Sequence, residues 1–551
     1  MRLGRSGGCD DNAITIPAMK RNERWLWGAV AIAAAAALLP TLTPGIIGLF
    51  HDDAIYASGA RLLAEGGGYH LPNLPDSPFQ TKYPPFYPAL LALIWRIQPE
   101  FPANILFLKA LNLGFVAASV MGIGLLARAQ NPNVSWTVPL GCQLVLATNP
   151  MLVGFSDYTM TDVLFTALAV WIVWLWGSSG SEMSLRGEAT VVAVSAVALL
   201  TRSVGVALTT AIVLDCLLQR QRARAALHAG MALIVLTAWF LWASMHRAND
   251  SPLIAYYQEY ERSALSYLMT DPKLAWEIVG GNIRLVADSM FIVMGISWIL
   301  IWPALLVPLI VGAVQLVRSG WRMPLLFSSC YLALVILHPF APYRYLLPLA
   351  PLCVLATARG ATHLWALVRG SNIALRRPAS VPAVTVLAVL LFGNGVWLRP
   401  HYQADGRVRW WNGRETGYGW DGFEETFDWV RHHTPQEARL GAFYDPMYFL
   451  YTGREAVRPW LHRSETYFYP YGATKPFVGR PEQVAKELRA LCIDFLVLDP
   501  PAGYAEGPAA IELLRAVISL PETNAQLVFT SRDGLHEVYR LGEHPEMPPD
   551  D

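Results

Sequence analysis

The chain up to residue 398 alternates long apolar runs with short polar or basic segments. Two of these runs, residues 25–49 and 290–317, exceed the roughly 20 residues that an α-helix needs to cross the hydrocarbon core of a bilayer. The full pattern predicts membrane-spanning helices at 25–49, 104–127, 134–153, 161–177, 189–201, 203–218, 226–245, 289–317, 323–338, 345–358 and 380–398. The pattern is therefore typical of an α-helical multi-pass membrane protein with about eleven transmembrane helices.

Lysine and arginine clusters between the runs predict the orientation of these helices. Such clusters occur at Lys20–Arg24, Arg128, Arg186, Arg220–Arg224, Arg318–Arg322 and Arg359–Arg377. If every cluster faces the cytoplasm, residues 1–24 are cytoplasmic, and loops 50–103 and 246–288 lie outside. The apolar stretch 85–97 must then be an interfacial or re-entrant helix, because another span would reverse all later loops.

Residues 399–551 have a different pattern, which predicts a soluble extracytoplasmic α/β domain. Amphipathic periodicity predicts helices at 423–432, 481–491 and 509–520, and alternation predicts strands at 439–444, 495–498, 526–530 and 537–539. The segment Leu450-Tyr451-Thr452-Gly453-Arg454 is interpreted as a turn at the end of a strand. Residues 25–398 would then form the transmembrane domain.

Composition agrees with a membrane protein and narrows the classes of function. The chain is 54% hydrophobic and 15% charged, with mean hydropathy +0.33, whereas soluble domains carry about 25% charged residues. The 42 Lys and Arg residues balance 42 Asp and Glu residues, so the net charge does not indicate nucleic-acid binding. The six cysteines show no CxxC or other metal-ligand spacing.

Two adjacent carboxylates, Asp52 and Asp53, follow the first apolar run. Residues 53–65 are predicted to form a short helix, which Asp53 can cap. One acid could therefore be a cap and the other a solvated surface carboxylate. A second aspartate is redundant for capping, however, and the same loop continues into Lys82-Tyr83-Pro84-Pro85. A carboxylate can act as a general base, and an ammonium can stabilise a leaving phosphate. Asp52, farther from the helix dipole, is predicted to be the base.

The order of these motifs resembles the first outer loop of GT-C superfamily glycosyltransferases. The resemblance is to the branch of protein O-mannosyltransferases and the bacterial aminoarabinose transferase of lipid A, and it rests on Asp52-Asp53-Ala54-Ile55-Tyr56 followed by Lys82-Tyr83-Pro84-Pro85-Phe86-Tyr87. It implies a GT-C-like transmembrane fold, with Tyr56 and Tyr83 in the substrate cavity. The chain departs from the family pattern at Asp53, where a Glu is usual, and at Thr81, where an acid often precedes the lysine.

Further charged residues are predicted on the same outer face. The resemblance implies a role for Asp162, because the family often has an aspartate in this turn; helix capping is the alternative. Arg202 and Arg344 are predicted to bind the donor phosphate, with an ion pair to an acid such as Asp162 as the alternative. In loop 246–288, Tyr256 and Tyr257 could border the cavity or anchor the membrane interface.

The sequence therefore predicts a glycosyltransferase of the cell (inner) membrane whose active site and C-terminal domain face the periplasm or cell exterior. It would move a hexosyl or pentosyl group from a polyprenyl-phosphate donor to a glycan, lipid or protein acceptor, by inverting displacement. No metal ligands are predicted, although assistance by a divalent metal ion stays open. The alternative is a transporter or flippase of lipid-linked or anionic solutes, which intramembrane charges would also suit.

Overall fold

A computed structural model places most of the chain in helices. The structure describes residues 21–130, 134–179, 183–247, 251–258, 264–293, 302–338, 343–369, 380–403, 410–411, 414–415, 420–460, 479–500 and 507–542. The helices before residue 404 are α1 Arg21–Ala37, α2 Asp52–Glu65, α3 Phe86–Ile97, α4 Ile105–Gln130, α5 Thr137–Ala147, α6 Pro150–Ser156, α7 Thr161–Ser179, α8 Leu185–Thr201, α9 Val206–Leu218, α10 Arg222–Met245, α11 Pro252–Gln258, α12 Ala264–Tyr267, α13 Pro272–Val293, α14 Trp302–Arg318, α15 Met323–Leu337, α16 Ala350–Arg369 and α17 Val381–Gln403. A 3-10 helix at Tyr343–Leu349 leads into α16.

Several of these helices are apolar enough to cross a membrane, as the sequence predicts. Within the described residues, four helices are long and apolar enough to cross a membrane: Ile105–Gln130, Thr161–Ser179, Arg222–Met245 and Arg344–Leu367. The α5–α6 pair, bent by 51° where Asn149 caps α6, would make a fifth. Shorter apolar helices overlap most of the other predicted spans. The chain is thus a helical membrane protein, and the count of about eleven spans stays a prediction.

The predicted boundaries are wrong in two places before residue 300. The first predicted span, 25–49, is α-helical only to Ala37 and is followed by a 3-10 helix at Leu39–Thr41, because Pro40 and Pro44 lack the N–H that a continuing α-helix requires. The predicted outer loop 246–288 contains α11, α12 and most of α13, a helix that continues to Val293.

In its described residues, the C-terminal part combines a five-stranded sheet with four helices. Its elements are β3 Leu440–Gly441, β4 Ala456–Val457, β5 Phe495–Leu498, β6 Gln526–Thr530 and β7 Glu537–Arg540, with α18 Trp420–His433, α19 Asp445–Thr452, α20 Pro481–Ala490 and α21 Gly507–Ile518; a separate hairpin pairs β1 Trp410–Trp411 with β2 Arg414–Glu415. The strand order is β4-β3-β5-β7-β6, with β4, β3 and β5 parallel and β7 antiparallel to both neighbours. All four side chains of β5 are buried, as expected for a central strand.

The interpretation of Leu450–Arg454 as a strand-end turn is wrong. This segment instead contains the end of α19, where Gly453 adopts φ +73° and its N–H donates to the carbonyl of Phe449. Pro446 in the first turn of α19 favours a helix start, and a left-handed glycine is a common helix end.

One hydrophobic core joins the C-terminal part to the first outer loop. The same cluster of buried side chains contains Ile55 and Tyr56 of α2, Leu91 of α3, and Tyr448 and Leu496 of the C-terminal part. The α/β part therefore packs directly on the segment that carries Asp52.

Candidate functional site

The two adjacent acids at the start of α2, Asp52 and Asp53, have different surroundings. The N-cap is His51, at φ +64°, and Asp52 is the first residue of the helix. Asp53 does not cap the helix as predicted: its Oδ2 accepts from the Gly48 N–H at 3.1 Å, and its Oδ1 accepts from the Ala54 N–H at 3.0 Å. Because Asp53 is 0% exposed, its structural effect is to pin the loop before α2 to the helix start.

Asp52 lies between a cation and a phenol. Its Oδ2 accepts from Arg344 Nη1 at 3.1 Å, and its Oδ1 accepts from the Tyr83 hydroxyl at 2.9 Å. Burial raises the pKa of Asp52, but Arg344 and the hydrogen bonds from His51 and Tyr83 outweigh it and hold that pKa well below its usual range. Asp52 is therefore a carboxylate at neutral pH, and its charge is largely neutralised.

A second acid–arginine pair lies beside the first. Asp162, in the first turn of α7, forms an ion pair with Arg202 at the end of α8. The Tyr345 ring joins the pairs, since its centroid lies 5.2 Å from the Arg202 guanidinium and 4.7 Å from that of Arg344. The ion pair considered for Arg202 as an alternative to phosphate binding is thus present. Asp162 Oδ2 has no hydrogen-bond partner within the described residues.

Tyr83, Tyr56 and Lys82 lie together on one side of Asp52. The Tyr83 ring centroid lies 5.1 Å from the ring of Tyr56 and 5.9 Å from Lys82 Nζ. Burial raises the pKa of Tyr56; the Asp52 and Asp162 carboxylates raise it further, while Arg202 opposes them. The Tyr56 ring packs against the Tyr83 ring, whose hydroxyl donates to Asp52. The structure thus brings together Asp52, Asp162, Arg202, Arg344, Lys82, Tyr56 and Tyr83.

Of the two tyrosines predicted from loop 246–288, Tyr256 and Tyr257, the structure describes the side chain of Tyr257 only. Tyr257 is 2% exposed and belongs to the core shared with the C-terminal part, where its hydroxyl accepts from the Arg458 N–H at 3.0 Å. Its ring approaches His51 at 5.9 Å between centroids. Tyr256 lies in α11, but its side chain is outside the described residues.

A contact that sequence reasoning missed links Asp52 to the C-terminal part. His51 Nε2 lies 3.0 Å from Asp445 Oδ1, and Asn73 donates to Asp445 Oδ2 at 2.8 Å. His51 Nδ1 lies 4.0 Å from Asp52 Oδ1. The signal available in the sequence was the position of His51 next to the acids, but its partner lies 394 positions away.

A second missed feature is a buried ion pair below the first outer loop. Lys109 Nζ donates to Asp157 Oδ1 at 2.9 Å and to Thr43 Oγ1 at 2.7 Å. Lys109 is 0% exposed, and a lone lysine inside the predicted span 104–127 signalled a buried partner. This pair fixes α4 to the loop before α2, behind the catalytic candidates.

The candidate acids do not form a metal-ligand set. Among the described residues, no three or more His, Cys, Asp or Glu side chains are grouped so as to hold a metal ion. Asp52 and Asp162 instead bind arginines. This donor set does not fit a divalent ion.

Comparison with solved structures identifies the class of fold. ArnT from Cupriavidus metallidurans in the apo state matches with a TM-score of 0.54 and 14% identity, covering 95% of this chain and 98% of ArnT. ArnT bound to undecaprenyl phosphate matches with a TM-score of 0.52 and 15% identity over the same shares. AglB, an oligosaccharyltransferase from Archaeoglobus fulgidus in complex with an inhibitory peptide and a dolichol-phosphate, matches at 0.52 and 10%, covering 96% and 76%.

These neighbours are membrane glycosyltransferases of the GT-C superfamily, and the predicted GT-C-like fold is confirmed. In particular, the fold resembles that of the aminoarabinose transferase ArnT over nearly the whole length of both chains. No family model and no curated protein sequence matches the chain.

Proposed function

We propose that this protein is a membrane glycosyltransferase that uses a polyprenyl-phosphate sugar. An acceptor hydroxyl attacks the anomeric carbon, the bond from that carbon to the phosphate oxygen breaks, and the configuration inverts. Asp52 takes the proton of the attacking hydroxyl, and free polyprenyl phosphate leaves. The observation that carries this proposal is a half-buried carboxylate, Asp52, with its side chain 17% exposed, in a cluster that also holds Arg344, Arg202 and Lys82.

The cluster supplies both the charges that such a transfer needs. Arg344 and Arg202 present planar guanidinium groups suited to a phosphate, and Lys82 adds a compact positive charge. Undecaprenyl phosphate is bound in one ArnT structure and a dolichol-phosphate in the AglB complex, which supports a lipid-linked phosphate donor for this fold. The donor would carry a hexosyl or pentosyl group, and the acceptor would be a glycan, lipid or protein.

Arg344 also controls when Asp52 can act as a base. A general base works best when its pKa is close to the working pH, whereas the pKa of Asp52 is held low in the present arrangement. A donor phosphate would compete with Asp52 for Arg344, because both are anions. Donor binding would thereby free the carboxylate and raise its pKa, so that the base becomes active only when the donor is present.

Asp162 is proposed to position a substrate hydroxyl. Its Oδ1 is held by Arg202, whereas Oδ2 is buried without a partner in the described part of the chain. A buried acceptor without a hydrogen bond is costly, and a hydroxyl of the sugar or acceptor would satisfy it. Asp162 thus contributes to binding more than to proton transfer.

Release of free polyprenyl phosphate is the measurement that tests the proposed reaction. Membranes containing the wild-type protein, supplied with a panel of polyprenyl-phosphate hexoses and pentoses, should release it from at least one donor. Lys82→Ala should reduce the rate by about tenfold or more, since one charge-assisted contact to phosphate is lost. Lys273→Ala is the matched control, because that lysine is 87% exposed. Movement of intact donor across the bilayer without release would instead support the transporter alternative.

The pH dependence of the same reaction should depend on Arg344. Folding lowers the pKa of Asp52 from its ordinary value of 3.8. The ionised carboxylate therefore stabilises the folded protein above pH 3.8, and this stabilisation is lost as the pH falls through the lower pKa of the folded state. Because kcat/KM reports the free enzyme, the wild-type profile of kcat/KM against pH should therefore show no acid limb from Asp52 down to about pH 5. In Arg344→Gln the acid limb should move to higher pH, as burial is then less opposed. An unchanged profile of rate against pH in Arg344→Gln would contradict this role.

The proposed orientation puts the site and residues 399–551 on the periplasmic or outer side. Reporter fusions after Arg128 and Arg224 should give cytoplasmic signals, and a fusion after Arg399 should give a signal from outside. A cytoplasmic signal at Arg399 would contradict the proposed topology.

A further inference from the structure

A cavity lined by apolar residues together with Gln130, Gln315, Arg359, Thr362 and His363 lies at the opposite end of the helical bundle from Asp52. Its volume is about 190 Å³, and it lies among the end of α4, the start of α5, α14 and α16. At 1.5 Å per residue, Gln130 at its wall is about 30 Å along α4 from Lys109. One water needs only about 10–15 Å³ of such space, so the cavity has room for a phosphate group.

The two helices that form one side of the cavity approach each other closely. A Cβ added to Gly312 of α14 would collide with the backbone of Ala356, and one added to Gly360 of α16 would collide with the backbone of Pro308. Small residues at a membrane-helix interface allow this backbone contact. The contact fixes Arg359, the neighbour of Gly360, and leaves the cavity wall little freedom to collapse.

The cavity wall carries donors that have no acceptor. Arg359 and Gln130 both line it, and Gln130 is 9% exposed. Arg359 Nε and Gln130 Nε2 are buried and make no hydrogen bond within the described residues. Gln315 and His363, also in the wall, are paired through their Nε2 atoms at 2.9 Å.

The positive charge of Arg359 is not balanced by a carboxylate in the described part of the chain. Its only hydrogen bond there joins Nη1 to the Gln130 carbonyl oxygen at 3.3 Å, which closes the end of α4. Capping of this helix end uses one of five N–H donors and neutralises little of the charge. Arg359 is half-buried, and a cation withdrawn from water without a counter-charge among the described residues is costly, so an anionic ligand would stabilise this site.

We propose that this cavity binds a phosphate group, through Arg359 and Gln130. A guanidinium presents parallel N–H donors that match phosphate oxygens, and the amide of Gln130 supplies a further donor. The phosphate belongs to a phospholipid headgroup or is free in solution. Arg128, Arg318 and Arg359 belong to the basic clusters that predict the cytoplasmic side, where the inner leaflet provides anionic headgroups. The site is separate from the proposed transfer reaction and does not depend on it.

Two binding measurements on the purified full-length protein distinguish the sources of phosphate. Inorganic phosphate is titrated calorimetrically into protein in dodecyl maltoside, with chloride at equal ionic strength as the reference. Native mass spectrometry then counts dioleoyl-phosphatidylglycerol retained after detergent exchange. Binding in the first measurement identifies free phosphate, and binding only in the second identifies a lipid headgroup; either supports the proposal.

Substitutions localise the bound phosphate to the cavity. Arg359→Gln should weaken binding by about tenfold or more, and Gln130→Leu by a smaller factor. Arg318→Gln, at the same end of α14, should bind as the wild type does. Ala366→Phe keeps Arg359 but fills the exposed side of the cavity, so it tests the site even if Arg359→Gln fails to fold. No binding in either measurement, or equal binding by the wild type, Arg359→Gln and Ala366→Phe, would overturn the proposal.

Discussion

Asp52→Asn should lower the rate of polyprenyl-phosphate release by about 10²–10⁴-fold, because an amide cannot take the proton of the attacking hydroxyl. The substitution preserves shape, and the amide oxygen it introduces could still accept from the Tyr83 hydroxyl as Asp52 Oδ1 does. It removes the ionic partner of Arg344. The substitution should therefore slow the chemical step without weakening donor binding.

The two directions are separable in steady-state kinetics with a single donor. Arg344 no longer has to leave a carboxylate, so KM for the donor should stay constant or fall while kcat falls steeply. Asp162→Asn is the matched comparison, since it also neutralises an arginine-paired acid in the cluster; it should raise KM more than it lowers kcat. If Asp52→Asn kept its kcat, or lost only donor affinity, Asp52 would not be the base.

The sequence predicted that the charged residues share one face of the membrane domain, but not which of them pair. Counting basic clusters placed Asp52, Lys82, Asp162, Arg202 and Arg344 on one face, and the structure brings all five into one cluster. The Asp52–Arg344 ion pair spans 292 positions. Periodicity and spacing report only local structure, so a contact of that length is set by helix packing and could not be predicted.

Local chemistry explains why some element boundaries were predictable and others were not. Strand β5 and strand β6 have the bounds that alternation predicts, since each is a short β-branched and apolar run between turn residues. The first apolar run was predicted to be too long, because hydropathy outweighed Pro40 and Pro44. The capping role predicted for Asp53 was wrong for a different reason. The loop before α2 turns back at Gly48, and the Gly48 N–H donates a hydrogen bond to the Asp53 carboxylate.

Asp445→Ala should reduce both the stability of the protein and its activity, although Asp445 lies in the C-terminal part. Asp445 is 0% exposed; its removal leaves His51 Nε2 without this partner and Asn73 Nδ2 with only the longer bond of 3.4 Å to the Ala456 carbonyl oxygen. A buried polar group left unsatisfied costs about 1–3 kcal/mol, so the free energy of unfolding should fall by at least that amount. Thermal unfolding in detergent measures this loss.

The activity loss follows from the backbone at His51. A non-glycine residue at φ +64° costs about 1–3 kcal/mol and persists only where its surroundings hold it. Without Asp445, His51 can relax to a negative φ, and the start of α2 would turn Asp52 away from Arg344 and Tyr83. His51→Gly tests this directly, because glycine adopts positive φ freely while the histidine side chain is lost.

Asp445→Ala and His51→Gly, with their controls, separate the packing of the C-terminal part on α2 from the orientation of Asp52. His51→Gly should retain more activity than His51→Ala, since alanine resists the left-handed backbone. Asp428→Ala, at a 61% exposed side chain in the same C-terminal part, should change neither stability nor activity. Equal activity in His51→Gly and His51→Ala would mean that the imidazole, rather than the backbone turn, matters to Asp52. Wild-type activity in Asp445→Ala would show that the C-terminal part does not set the position of Asp52, leaving its role to packing alone.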